Sequence, residues 1–244
     1  MVTKLKRLDF AHIACKASIL VSGYPETENI TIGCFGYYLK RNGENILVDT
    51  GIEDIPTVNL TKSSKDDWQR GKNEFSPGQN MKNINVSEFE IDKVFLTHSH
   101  YDHISGVCHY ENADIYIAAK EYEYLTGGNP HKKYLSEVIE FLKRKKENGK
   151  LILIDDEYEH DGIKCCVTGG HTPGSMLIYI DDCLFTGDNI YLLESIKNNE
   201  PIGFCDEPDK AKQVLERCRK FGGTIFTGHD FKCCKDDKYM QERQ

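Results

Sequence analysis

The sequence contains no apolar run that approaches the roughly 20 residues needed to cross a bilayer, so no spanning helix is expected and a membrane is not an expected partner. A signal-peptide core is missing as well. Asp9, His12 and Lys16 interrupt the apolar residues of the first 23 positions, which makes the cytoplasm the expected compartment. A basic surplus is absent: 31 Lys and Arg face 39 Asp and Glu, a formal charge of −8. Such a balance argues against a nucleic-acid backbone as the main partner. There is one tryptophan, no internal repeat and no low-complexity tract. Disorder is not indicated either, because 39% apolar and 29% charged residues is an ordinary globular balance. The 244 residues suffice for a substantial core and are expected to form a single domain, residues 1–244.

Cysteine is not scarce. Ten are present, but Cys165-Cys166 and Cys233-Cys234 are neighbours that bridge poorly, so reduced and mostly buried thiols are expected. The predicted elements come in two runs of strands. Ile30 to Leu39 and Asn45 to Val48 flank Asn42-Gly43, a hairpin signal, and the second strand ends at Asp49-Thr50-Gly51. Lys93 to Thr97 and Asp114 to Ala118 follow. Leu151 to Ile154, Ile163 to Val167, Ser175 to Ile180, Cys183 to Phe185 and Thr224 to Thr227 complete the set. Helices are predicted over Lys133–Lys146, where apolar residues recur at helical spacing, and over Pro208–Phe221. A polar excursion over residues 53–89, containing Trp68, reads as a lid over a site or a helical insertion. The pattern predicts an α/β protein of two packed sheets flanked by helices.

Chemistry concentrates in Thr97-His98-Ser99-His100-Tyr101-Asp102-His103. Four potential metal ligands occur in six residues directly after a predicted buried strand. A lone histidine there would be incidental, but imidazole and carboxylate at this density are the donors that divalent ions take. The alternation of His98 and His100 suits one ion, and Asp102 with His103 can turn to a second. Three later segments place His or Asp beside glycine at a strand end: Gly169-Gly170-His171-Thr172-Pro173-Gly174-Ser175, Thr186-Gly187-Asp188-Asn189 and Thr227-Gly228-His229-Asp230. Singly each is a turn. Together they supply five His and two Asp, about what two four-coordinate ions sharing one carboxylate require.

These motifs, in this order, resemble the metallo-β-lactamase superfamily over roughly Ile30 to Asp230. The resemblance implies a four-layer αββα sandwich with the site at one edge of the two sheets. It implies that His98, His100 and His171 hold one metal ion, that Asp102, His103 and His229 hold the other, and that Asp188 bridges them. The ions implied are two divalent cations, zinc first, with iron, manganese or cobalt as alternatives. Asp49 matches a family element that supports the site from behind, where its own sequence context reads equally well as a simple turn. The resemblance implies a catalytic part for Asp102 and Asp188, with no serine or cysteine nucleophile.

Tyr191, three residues after Asp188, resembles the N-acyl-homoserine lactonase group within the superfamily. By spacing alone it is a core aromatic or a functional phenol. The resemblance implies that it assists at the lactone carbonyl or the leaving oxygen. The expected function is hydrolysis of a small ester, a lactone in the first place. A thioester hydrolase of the glyoxalase II type and a phosphodiesterase are the alternatives. About fifteen residues follow His229, too few for the helical extension usual in glyoxalase II, and the −8 charge disfavours nucleic acid. The expected partners are a small-molecule substrate and, in a homodimer, a second copy; a monomer is the other expectation.

Overall fold

The computed structural model describes residues 1–53, 72–127 and 134–233. Among them a first sheet holds β1 (Val2–Lys16), β2 (Asn29–Arg41), β3 (Glu44–Val48), β4 (Lys72–Asn73), β5 (Lys93–Phe95), β6 (Asp114–Ala118) and β7 (Leu151–Ile154), in the order β4-β1-β2-β3-β5-β6-β7. A second holds β8 (Glu157–His160), β9 (Ile163–Val167), β10 (Met176–Ile180), β11 (Cys183–Phe185) and β12 (Thr224–Phe226), in the order β12-β11-β10-β9-β8. β3, β5, β6 and β7 run parallel, and so do β11 and β12; the other pairs are antiparallel.

The period-2 alternation of strands sorts the apolar residues into three cores. In β3, Ile46 and Val48 face the second sheet while Leu47 faces the opposite way; in β5 and β6, Phe95 and Tyr116 face inward while Val94 and Ile115 face outward. The inner core joins these side chains to Cys165, Met176, Ile178, Phe185 and Phe226 of the second sheet. The outer face of the first sheet is covered by Met81 and Ile84 of helix Pro77–Ile84 and by Val138, Phe141 and Leu142 of helix Ser136–Glu147. Leu177 and Leu184 on the far side pack against Val214, Leu215 and Cys218 of helix Pro208–Arg219. Helix, sheet, sheet and helix make the four-layer αββα sandwich anticipated from the motifs.

Three elements differ from the sequence expectation. β1, with Lys4, Lys6, Arg7, Asp9 and His12, is one long strand paired along β2, its buried positions alternating with partly exposed ones and a register shift between Asp9 and Ala11. The helix predicted from Lys133 starts at Ser136. Near its end, in Lys143-Arg144-Lys145-Lys146, Lys145 is 2% exposed, and its ammonium donates to the carbonyls of Glu111 (2.6 Å) and Ala113 (2.7 Å). Of the polar excursion over 53–89, residues 54–71, Trp68 among them, lie outside the described residues. The remainder carries β4, a capped helix at Pro77–Ile84 and a 3-10 turn at Glu88–Glu90. Nine described cysteines are free thiols, and no helix among the described residues is long and apolar enough to cross a membrane.

Candidate metal centre

In both sheets the strands lead from tight turns at one end to polar loops at the other, and those loops meet. β5 delivers Thr97 to His103, β9 leads to His171, β11 to Asp188 and β12 to His229. All seven residues predicted as ligands are brought together and buried, none more than 6% exposed. They form two groups that share Asp188. His98, His100, His171 and Asp188 are one; Asp102, His103, Asp188 and His229 are the other, with the donor atoms of each within 4.8 Å of one another.

Asp188 divides its two oxygens between the groups. Oδ2 lies 3.6 Å from His98 Nε2 and 3.4 Å from His171 Nε2. Oδ1 lies 3.0 Å from Nε2 of both His103 and His229. On the first side His171 Nε2 and His100 Nδ1 are 2.9 Å apart. On the second, His103 Nε2 and His229 Nε2 are 3.4 Å apart.

The rings are aimed by what holds their other nitrogen. His103 Nδ1 donates to Asp49 Oδ2 (2.9 Å), His171 Nδ1 donates to the Phe204 carbonyl (3.1 Å), and His229 Nδ1 donates to the Gly33 carbonyl. Each bond fixes the tautomer that turns a lone pair on Nε2 toward Asp188. Asp49 also accepts from the Thr97 backbone N–H and hydroxyl, both at 2.8 Å, so it braces the loop as well as one ring. Glycine lets the chains close in: a Cβ on Gly228 would stand 2.7 Å from Asp188 Oδ1.

The environment favours a cation. Burial, with Asp188, Asp102 and Asp49 opposing and outweighing it, leaves the His103 pKa well above the imidazole range, and the balance at His229 is similar with Asp188 as the main counterweight. Burial, together with the neighbouring imidazoles, pushes His98 well below it, and burial lowers His171. Asp188 stays ionised: burial alone would raise it, but His103, His229 and His98 hold it well below the carboxylate range. Burial pushes the Cys34 thiol, beside His229, up to about 11, so it is not a thiolate donor at neutral pH. His98 Nε2 and Asp102 Oδ2 are buried without a hydrogen-bond partner. Orphaned donors of this kind are costly unless something else satisfies them, and imidazole with carboxylate is the donor set divalent ions take. The residues therefore fit two ions.

Tyr191 is fully buried against both groups. Its ring stacks on His229 (centroids 5.4 Å, 26°) and meets His171 edge-on at 5.6 Å. Its hydroxyl is 3.4 Å from His171 Nδ1, the nitrogen other than the one facing Asp188. The remaining described histidines stay apart from the cluster: His12 pairs with Glu74 (3.2 Å), His109 pairs with Glu53 (2.7 Å) and His160 lies in β8; His131 lies outside the described residues. Cys233 is buried, its sulfur accepting from the Thr227 N–H (3.3 Å), and Cys234 lies outside the described residues.

Sequence reasoning missed Glu121; the helical turn expected over Lys120 to Leu125 forms as a helix, Ala119–Thr126, but nothing gave this residue a role. It is fully buried. One oxygen accepts from the Ser99 N–H (2.8 Å) and hydroxyl (2.7 Å), the other from the Thr172 hydroxyl (2.7 Å) and the Gly174 N–H (3.0 Å). It thereby stitches the His98–His103 loop to the His171 loop. Burial raises its pKa and these four donors oppose the rise. A Cβ on Gly174 would collide with the Glu121 backbone nitrogen, so the glycine of that motif is required by this contact. Asn189 was missed too; its Oδ1 accepts from the His171 N–H (3.1 Å). Nothing local in the sequence marks Glu121, while Asn189 lies within the Asp188 motif without a role assigned to it.

Comparison with known proteins agrees with this geometry. The chain is 26% identical over 228 residues to an N-acyl homoserine lactonase of Bacillus cereus, covering 88% of this chain and 87% of the relative. Its fold matches that of a mutant of AiiA from B. thuringiensis with N-decanoyl-L-homoserine bound at the active site, with a TM-score of 0.78, 21% identity and coverage of 95% and 94%. It matches AidC, a dizinc quorum-quenching lactonase, with a TM-score of 0.67, 19% identity and coverage of 92% and 86%. Residues 31–229 match the Metallo-beta-lactamase superfamily, and the chain belongs to that superfamily.

Proposed function

We propose that this protein is a dinuclear metal-dependent hydrolase that opens a lactone ring, with an N-acyl-homoserine lactone as its substrate and zinc as its metal. The observation that carries the reading is the position of Asp188, one oxygen toward each three-residue donor group, with the Tyr191 phenol buried against both. Two divalent ions held by these residues would supply Lewis acidity toward the substrate carbonyl and would lower the pKa of a bound water to about 7.

The chain's own residues do the rest. Hydrolysis adds water across the acyl C–O bond: its oxygen joins the acyl carbon and one proton ends on the ring oxygen. Asp102 Oδ2, buried and without a hydrogen-bond partner, is the carboxylate oxygen that takes that proton and returns it to the leaving alkoxide. Asp188, held ionised, keeps its two oxygens for the two groups. Burial, with Asp188 adding to it, raises the Tyr191 pKa well above its ordinary value, so the phenol keeps its proton and donates to developing negative charge. The lactonase similarity of the whole chain and the dizinc neighbour support substrate class and metal.

The test is turnover of zinc-loaded protein on N-acyl-homoserine lactones, a glutathione thioester and bis-p-nitrophenyl phosphate. The reading expects lactone turnover with kcat/KM of about 10⁴ M⁻¹ s⁻¹ or more. A thioester or phosphodiester cleaved more efficiently than every lactone would overturn it.

A further inference from the structure

The two donor groups are backed by different parts of the molecule. In the second group, His103 is held by Asp49 through Nδ1, and its carbonyl accepts from the Thr50 N–H (2.7 Å) and hydroxyl (3.0 Å). His229 exchanges bonds with Gly33: its Nδ1 donates to the Gly33 carbonyl, and the Gly33 N–H donates to the His229 carbonyl at 3.3 Å. Gly33 lies in β2, and Asp49 and Thr50 directly follow β3, so this group hangs on the first sheet.

The first group has another support. Ser99 stands between His98 and His100, and Thr172 and Gly174 follow His171. All three are tied to the fully buried carboxylate of Glu121, through two N–H groups and two hydroxyls at 2.7 to 3.0 Å. A carboxylate offers about four lone-pair sites and no donor of its own, so only Asp or Glu can accept all four bonds at once. The Thr172 hydroxyl is held in turn by Ser175 Oγ (2.7 Å), which accepts from the Thr172 N–H (3.0 Å). These partners of Glu121 are neutral, so a buried carboxylate is committed to joining two loops rather than to an ion pair. None of its four bonds goes to Asp102, His103 or the loop that carries His229.

We infer that Glu121 is a positioning residue that sets the affinity of the first ion site, formed by His98, His100 and His171, and that the second ion is held independently of it. The inference rests on the dinuclear reading of the cluster and assigns the two ions separate supports. Removing a partner that orients a metal ligand typically weakens the ion by about 10–100-fold. Glu121 acts through the loops and not on an imidazole, so the lower end of that range is expected.

The experiment withdraws zinc from the loaded protein with increasing chelator, for wild type, Glu121→Gln and Thr172→Val. It reads zinc content and unfolding temperature, and anomalous diffraction at the zinc edge shows which site has emptied. Gln keeps the shape of Glu but sets an NH2 group against one of the two N–H donors. Thr172→Val removes one of the four donors and keeps the branched side chain. Wild type is expected to hold two ions. Glu121→Gln is expected to bind the ion among His98, His100 and His171 about tenfold more weakly and the other ion as wild type does. Thr172→Val is expected to weaken the same ion by less, and it decides the matter if Glu121→Gln does not fold. Equal weakening of both ions, or a lowered unfolding temperature with both affinities unchanged, makes Glu121 a packing residue and overturns the inference while the two-ion reading stands. Selective loss of the ion among Asp102, His103 and His229 overturns it as well. A wild type that takes fewer than two ions overturns the dinuclear reading and the inference with it.

Discussion

The two ends of the sandwich bury polar groups in opposite ways. At the turn end, Arg41 is 4% exposed and its guanidinium is fully engaged: Nη1 meets Asp161 at 2.8 Å, and Nε and Nη2 meet Asp181 Oδ1 at 3.3 and 3.2 Å. Asp161 and Asp181 belong to the β8–β9 and β10–β11 turns, so this cluster ties the second sheet to β2, and a Cβ on Gly162 would collide with Nη2 at 2.6 Å. At the loop end, five imidazoles and two carboxylates converge, and His98 Nε2 and Asp102 Oδ2 are left without hydrogen-bond partners. Burial of charge therefore does not by itself mark a functional site. A cluster whose donors and acceptors balance is a structural clamp; one with inward-facing lone pairs in excess is a place for cations.

Substitutions at the two ends should separate these roles, the largest effect coming from Asp188→Ala. That change removes an oxygen from each donor group, so both ions are expected to be lost and hydrolysis abolished while the fold remains. A variant retaining two ions and near-normal turnover would erase the distinction between the ends. Arg41→Ala should do the reverse. It should lower stability by about 2–3 kcal/mol in denaturant unfolding, below the ~3–5 kcal/mol of a fully buried pair because Asp161 is 51% exposed, with zinc content and turnover per folded molecule unchanged. Reduced zinc in that variant would show the ends to be coupled. The smallest effect is expected from Tyr191→Phe, which keeps ring packing on His229 and removes only the hydroxyl. Its kcat should fall by less than the roughly 10²–10³-fold loss typical of a sole oxyanion donor, since metal ions share that task, with zinc content constant. Unchanged kcat on lactones would make Tyr191 a core residue.

Much of this was legible in the sequence, for a physical reason. The ligands lie in short runs of His, Asp and Gly at strand ends, and those residue types have few other causes for occurring together. The strands Asn45 to Val48, Ile163 to Val167 and Cys183 to Phe185 were legible because both of their faces are buried or nearly so. β1 was not, because its charged side chains at Lys6, Arg7 and Asp9 mask the buried alternation that pairing with β2 reveals. Glu121 was hidden for a different reason. Its partners Ser99, Thr172 and Gly174 are 22 to 53 residues away, and a Glu in a helix reads as a solvated residue until the loops that surround it are placed.

The central claim is that the loop end is built for two cations and the turn end for none. Elemental analysis of protein purified without chelator at neutral pH, joined to anomalous diffraction from its crystals, tests that claim most directly. Two ions per chain are predicted, one among His98, His100 and His171, the other among Asp102, His103 and His229, with Asp188 between them. One ion or none at full occupancy, or an ion held elsewhere with this cluster empty, would contradict the account.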